Sequence, residues 1–141
     1  MSFLLEIVTP ERVAFSDQVD TVLVPSDRGQ LGILPHHVPL FAKLIEGEMK
    51  IVQKGKETYL AIGGGFVEVT PGKTSILVTR AVHATELNEQ AIAKARQEAE
   101  HALKQKPTGE AFRTAQALLR SLLIDDKVVR RRKRVATGAS R

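Results

Sequence analysis

Gly29-Gln30-Leu31-Gly32-Ile33-Leu34-Pro35-His36-His37-Val38-Pro39-Leu40 is the stretch whose reading decides the fold. Its two glycines permit positive φ or close backbone approach, and its two prolines fix φ while removing backbone donors. Leu31, Ile33, Leu34, Val38 and Leu40 are apolar and expected to be buried, so the segment predicts a bent, rigid strand–turn–strand corner. Arg28, Gln30, His36 and His37 are the polar tips left facing outward. No reactive grouping sits here, and a corner that merely turns the chain is the plainer alternative.

Outward from the corner, toward both ends of the first 84 residues, the periodicity is two. Phe3, Leu5 and Ile7 alternate with residues of the opposite face, as do Val19, Thr21 and Leu23 with Asp20, Val22 and Val24. Further strands are predicted at Leu40–Leu44, Glu48–Gln53, Glu57–Ile62, Phe66–Thr70 and Thr74–Ala81. Lys54-Gly55 separates two of them, and Pro71-Gly72 suits a type II turn, with proline second and glycine third. No helical run precedes residue 85. These features predict an all-β fold, an antiparallel β-sandwich over residues 1–84. Gly63-Gly64-Gly65 leads into a strand, not a helix, so a bulge or a close backbone approach is expected there and not a phosphate cradle.

Near Ala84-Thr85 the composition changes from Val/Gly/Pro-rich to Ala/Glu/Lys/Arg-rich. Residues 1–84 carry 8 Lys+Arg against 9 Asp+Glu, whereas residues 85–141 carry 13 against 7. The second part, residues 85–134, reads as an α-helical hairpin. Asn88 is a candidate N-cap with Glu89 in the first turn, and Leu87 and Ile92 are placed to form a hydrophobic staple. Ala91, Ala95, Ala99, Ala102 and Leu103 give one face of the first helix. The break at Lys106-Pro107-Thr108-Gly109 precedes a second helix with Phe112, Ala115, Leu118, Leu119, Leu122 and Leu123 on one face. An alanine face returns little burial energy against the cost of ordering the backbone, so the hairpin should depend on docking. It could dock on its own sandwich or, opened out, on a partner. A stably packed helical appendage is the alternative.

The residues speak against independent catalysis. There is no cysteine, which removes disulfides, thiolate chemistry and Cys-ligated zinc. His36, His37, His83 and His101 lack a nearby nucleophile, paired carboxylates or metal-ligand spacing. No apolar run approaches the roughly 20 residues that span a bilayer, and no signal peptide is apparent. A rival reading is a small β-barrel nucleic-acid-binding module with a basic C-terminal arm, Arg130-Arg131-Arg132-Lys133-Arg134. Against it, Phe3, Phe15, Phe41, Phe66, Phe112 and Tyr59 are scattered and mostly expected to face the core, which leaves no stacking platform. Asp126 and Arg130 can extend the helix by an i, i+4 pair. The arginine run is otherwise read as solvated chain or as an electrostatic attachment, followed by a flexible tail over residues 135–141.

The corner GQLGILPHHVPL resembles the Gly-x-Leu-Gly-Ile/Val-x-x-x-His-x-Pro-Leu signature of the epsilon subunits of bacterial and chloroplast F-type ATP synthases. Ile7-Val8-Thr9-Pro10-Glu11-Arg12, Val22-Leu23-Val24-Pro25-Ser26 and Gly63-Gly64-Gly65-Phe66-Val67-Glu68-Val69 resemble further segments of that family, in the same order. The resemblance implies a non-catalytic rotor subunit of the central stalk, peripheral to the cell membrane, that couples ion-driven rotation to ATP synthesis. Its sandwich would bind the gamma subunit and the c-subunit ring, with Arg28, Gln30, His36 and His37 nearest the ring. Its helices would inhibit ATP hydrolysis by meeting the acidic region of the beta subunit in the alpha/beta head, through Arg113, Arg120, Leu123, Arg130 and Arg131.

Some family members bind ATP between the helices through Ile/Leu-Asp-x-x-Arg-Ala. Here the corresponding run is Leu87-Asn88-Glu89-Gln90-Ala91-Ile92, with the acid replaced by Asn88 and the arginine by Ala91. Weak or absent ATP binding is expected, and no cofactor or metal is assigned.

Overall fold

The computed structural model describes residues 1–136, which divide into two compact units, Met1–His83 and the chain from Ala84 onward. The first unit contains β1 (Phe3–Val8), β2 (Val13–Val19), β3 (Thr21–Ser26), β4 (Gly29–Ile33), β5 (Leu40–Leu44), β6 (Gly47–Gln53), β7 (Lys56–Ile62), β8 (Gly65–Thr70), β9 (Lys73–Val78) and β10 (Ala81–His83). They form two layers, β10-β7-β6-β3-β4 and β5-β8-β9-β1-β2, joined where Ser26 of β3 pairs with Leu44 of β5. Leu5, Ile7, Val67 and Ile76 from one layer close against Val22, Val24, Ile51 and Leu60 from the other. Burial of each such side chain is worth about 1.5–3 kcal/mol, so this layer interface stabilises the sandwich.

The turns follow from local chemistry. Lys54 and Gly55 both have positive φ, 49° and 81°, as a two-residue type I′ hairpin between β6 and β7 requires. Gly72 has φ 79°, the conformation asked of the third residue of the Pro71-Gly72 turn. Two expectations need correction. The sandwich is not wholly antiparallel, because β1 runs parallel to β9. With β8 on one edge of β9, β1 takes the other edge, and its buried Leu5 and Ile7 align with buried Thr74 and Ile76. The run Thr74–Ala81 is not one strand, since Thr79 donates its N–H to Gly64 and the chain then crosses from β9 to β10 in the other layer.

The glycine triplet is a close approach. A Cβ at Gly65 would fall 1.9 Å from the Leu77 carbonyl oxygen, and one at Gly63 would fall 2.2 Å from Thr79 Oγ1. Gly64 has room, its nearest atom being 3.5 Å away.

The second unit opens with a single 3₁₀ turn, Ala84–Glu86, followed by α1 (Glu89–Lys104) and α2 (Gly109–Ala136). Asn88 is the N-cap of α1, its side-chain oxygen accepting from the Ala91 N–H at 3.0 Å. Leu87, Ala95 and Leu119 pack on Ile92, Ala99, Leu122 and Val129 to make the hairpin's own core. Positive φ at Lys106 (54°) and Gly109 (60°) turns the chain between the helices. The arginine run 130–134 is helical, and α2 continues through residues 135 and 136 of the expected tail. Its basic last turn complements the helix dipole. Residues 137–141 of that tail lie outside the described residues.

Candidate functional site

The corner divides the four polar residues between its two ends. Arg28 and Gln30 belong to the β3–β4 turn, where Ser26 Oγ accepts the Arg28 N–H at 3.2 Å. His36 and His37 lie past the other end of β4, in a turn closed by the His37 N–H donating to the Leu34 carbonyl at 3.2 Å. Within that turn Pro35 precedes His36, whose φ of 63° is left-handed and strained for a residue with a Cβ. The ring of His37 turns back, its Nδ1 2.7 Å from the Val38 carbonyl oxygen. No group of three or more metal-ligand residues occurs among the described residues.

The corner's apolar side chains are only partly buried. Ile33 is enclosed, and Leu31 and Leu40 lean on the core, but Leu34 and Val38 are 57% and 70% exposed. Burial was expected for both, yet the His36 turn lifts them off the sandwich. With Phe3, His37 and Pro71 they border an open notch of about 350 Å³.

A second surface was missed from sequence. Phe41 and Phe66, expected to face the core, stand on the outer face of the β5-β8-β9-β1-β2 layer, 67% and 47% exposed. Strand pairing continues the row from Phe66 to Leu77, Val8 and Val13 across β8, β9, β1 and β2. The available signal was charge two residues away. Lys43 follows Phe41 and Glu68 follows Phe66 on the same strand face, and a face carrying charges points to water.

On α2, the 100° step between residues aligns Arg113, Arg120 and Arg131 on the side away from the buried Leu122 and Val129. Leu123 is exposed on a different flank. Arg130 is also turned toward that flank, and its Nε lies 3.1 Å from Asp126. Asp126 in turn receives Arg96 of α1 at 3.8 Å, while Lys133 reaches Glu89 at 3.3 Å. The groove between the helices is thus bordered by arginines that already have a carboxylate, and Asn88 is engaged as a cap.

The family model described as ATP synthase, Delta/Epsilon chain, beta-sandwich domain matches residues 2–84. The ATP synthase epsilon chain of Herpetosiphon aurantiacus is 40% identical over 133 residues, covering 94% of this chain and 98% of that protein. That of Chloroflexus aggregans is 46% identical over 99 residues, 70% of this chain and 71% of its own. In fold, the chain is similar to one in the cryo-EM structure of the Euglena gracilis mitochondrial ATP synthase, with TM-score 0.71 and 20% identity over 96% of this chain and 81% of that one.

Proposed function

The chain belongs to the ATP synthase delta/epsilon chain family, and on that premise we propose that it acts as the epsilon subunit in the central stalk of an F-type ATP synthase. It is a non-catalytic subunit. Synthesis and hydrolysis of ATP belong to the alpha/beta head. The sandwich is the anchor. Its outer row around Phe41, Phe66 and Leu77 holds the gamma subunit, and the corner bearing Arg28, Gln30, His36 and His37 meets the c-subunit ring. Attachment at the cytoplasmic face of the cell membrane runs through the ring in this reading; no described helix is long and apolar enough to cross a membrane.

The helical unit is the regulatory part. Extended, it brings Arg113, Arg120, Leu123, Arg130 and Arg131 to the acidic region of the beta subunit and blocks ATP hydrolysis, while rotation still drives synthesis. The observation that carries this reading is the unequal build of the two units. The sandwich encloses large aliphatic side chains from both layers, whereas the seam between the two helices is built on Ile92, Ala99, Leu122 and Val129 with an alanine-rich partner face. Ordering each backbone residue costs about 1–2 kcal/mol, so so small a core leaves the hairpin ready to exchange its contacts for a partner's. ATP takes no part in that exchange, because Arg96 is paired with Glu100 (3.2 Å) and Arg130 with Asp126 (3.1 Å), and Ala91 offers no cation.

The test adds two forms of the protein back to the cognate catalytic head depleted of this subunit and measures ATP hydrolysis. One form is the full chain and the other ends after Ala84. Binding of both with inhibition by the full chain alone is the expected result. Binding without inhibition by either would leave a purely structural coupling element, and failure of both to bind would remove the stalk assignment.

A further inference from the structure

We propose that the ion pairs across the α1–α2 seam are a register lock, selecting one alignment of the hairpin from several that its apolar residues would accept. Glu89 and Arg96 stand seven residues apart on α1, and Asp126 and Lys133 stand seven apart on α2. Seven residues are about two helical turns. The helices run antiparallel, and the pairs Glu89–Lys133 (3.3 Å) and Arg96–Asp126 (3.8 Å) form together in a single alignment. The polarity is reversed between the two, acid then base along α1 and acid then base along α2.

That reversal penalises the neighbouring alignment that the short connection can reach. A two-turn slip in one direction would carry Gly109 about 24 Å past the level of Lys104, beyond the ~18 Å reach of the chain between them. The same slip in the other direction sets Glu89 against Asp126. The apolar residues discriminate far less. The observed alignment sets Ile92 near Val129 and Ala99 near Leu122. The slip that opposes Glu89 to Asp126 would instead level Ile92 with Leu122, Ala99 with Ala115 and Leu103 with Phe112. Small and aliphatic side chains meet in either case. Exposed ion pairs add little net stability, and their effect here lies in the choice between alignments.

The lock has a consequence for the start of α2. In the observed alignment the last residue of α1, Lys104, falls near the level of Leu118, so the first turns of α2 project beyond α1. Phe112 and Leu118 are 40% and 50% exposed. The charge pattern therefore withholds Phe112 from burial against Leu103.

The chain has no cysteine, so Gln97→Cys and Gln116→Cys, both at exposed positions, give a unique spin-label pair in the full chain. Glu89→Lys in this background opposes two lysines in the native alignment and makes an attractive Lys–Asp126 pair in the slipped one. The expected result is a new population whose label distance is shorter by roughly 5 Å, because the slip cuts the axial offset of the two labels from about 13 to about 3 Å while the lateral separation of the helices stays. Adding Lys133→Glu to Glu89→Lys restores an attractive native pair and should return the original distribution. Loss of helical circular dichroism in Glu89→Lys with no shortened-distance population overturns the lock, because the pair would then hold the helices together without choosing their alignment. An unchanged distribution in Glu89→Lys overturns it, because the apolar seam would then suffice. A shift or unfolding that the double variant does not reverse also overturns it, since the charge at 89 would then act through the helix N-terminus and not through Lys133.

Discussion

Phe41 and Phe66 stack on the outer face of the sandwich, their ring centroids 5.4 Å apart and their planes 24° from parallel. They come from adjacent antiparallel strands, and Lys43 and Glu68 share their face. An aromatic pair of this kind contributes about 0.5–1.5 kcal/mol beyond its buried area. Exposed stacking is thus a small stabilising term on a surface proposed to bind gamma. Replacing both with serine should lower unfolding free energy by about 2–4 kcal/mol, the pair term together with the area each half-exposed ring still buries. Affinity for a gamma-containing head should fall at least about tenfold, as expected for aromatic anchors at an interface. Urea denaturation and titration calorimetry separate the two effects, and unchanged affinity would remove this row from the proposed interface.

The sandwich and the hairpin were legible in the sequence because local periodicity and turn residues specify them. Pro71-Gly72, Lys54-Gly55 and the Asn88 cap each act within a few residues. Period two also groups residues by face, but it does not say which face is inside. Phe66 and Val67 are both apolar, and only the charge of Glu68 separates them. The parallel β1–β9 pairing and the Arg96–Asp126 and Glu89–Lys133 contacts join distant segments, so nothing local announces them. Division of the corner's polar residues between two ends was hidden for the same reason. It follows from the pairing of β4 with β3.

The glycine triplet gives a graded expectation. Gly65→Ala drives a methyl group into the Leu77 carbonyl, a backbone atom that cannot rotate away. A loss of about 2–4 kcal/mol is expected. Gly64→Ala meets only ordinary van der Waals contact and should change stability by less than about 1 kcal/mol. Urea midpoints of the two variants check the order, and equal losses would contradict the close approach at β9.

His36 carries strain that glycine would relieve. Its φ of 63° costs a residue with a Cβ about 1–2 kcal/mol, offset in part by the greater freedom glycine gives the unfolded chain. His36→Gly should therefore raise stability by up to about 1 kcal/mol, and His36→Ala should not. If the strained imidazole meets the c-ring, the more stable glycine variant will also bind the ring-containing complex less tightly. Thermal unfolding and a pull-down on the ring-containing complex report these independently.

ATP should leave the full chain's stability unchanged. A ligand at a hundredfold excess over its dissociation constant would add about 2.7 kcal/mol to the unfolding free energy. With Arg96 paired with Glu100, Arg130 with Asp126 and Asn88 capping α1, no shift of melting temperature is expected at millimolar ATP. A rise of several degrees in the helical transition, followed by circular dichroism, would contradict the reading that this hairpin does not sense ATP.

The line Arg113, Arg120 and Arg131 gives the inhibitory reading its salt dependence. These residues lie on α2 away from Leu122 and Val129, so alanine at all three should leave the hairpin core intact. Attraction between a basic helix and an acidic surface is screened over a Debye length of about 8 Å at physiological ionic strength, and over about 3 Å at 1 M. Inhibition of the head by the full chain should therefore weaken as salt rises. The triple alanine variant should inhibit about tenfold less at low salt and show a shallower salt slope than the native chain, since Arg130 alone of the proposed basic contacts remains. Hydrolysis rates measured across a salt series, with binding of the sandwich checked at each point, decide this. If the variant inhibits as strongly as the native chain and keeps the same salt slope, the electrostatic contact lies elsewhere on the helix.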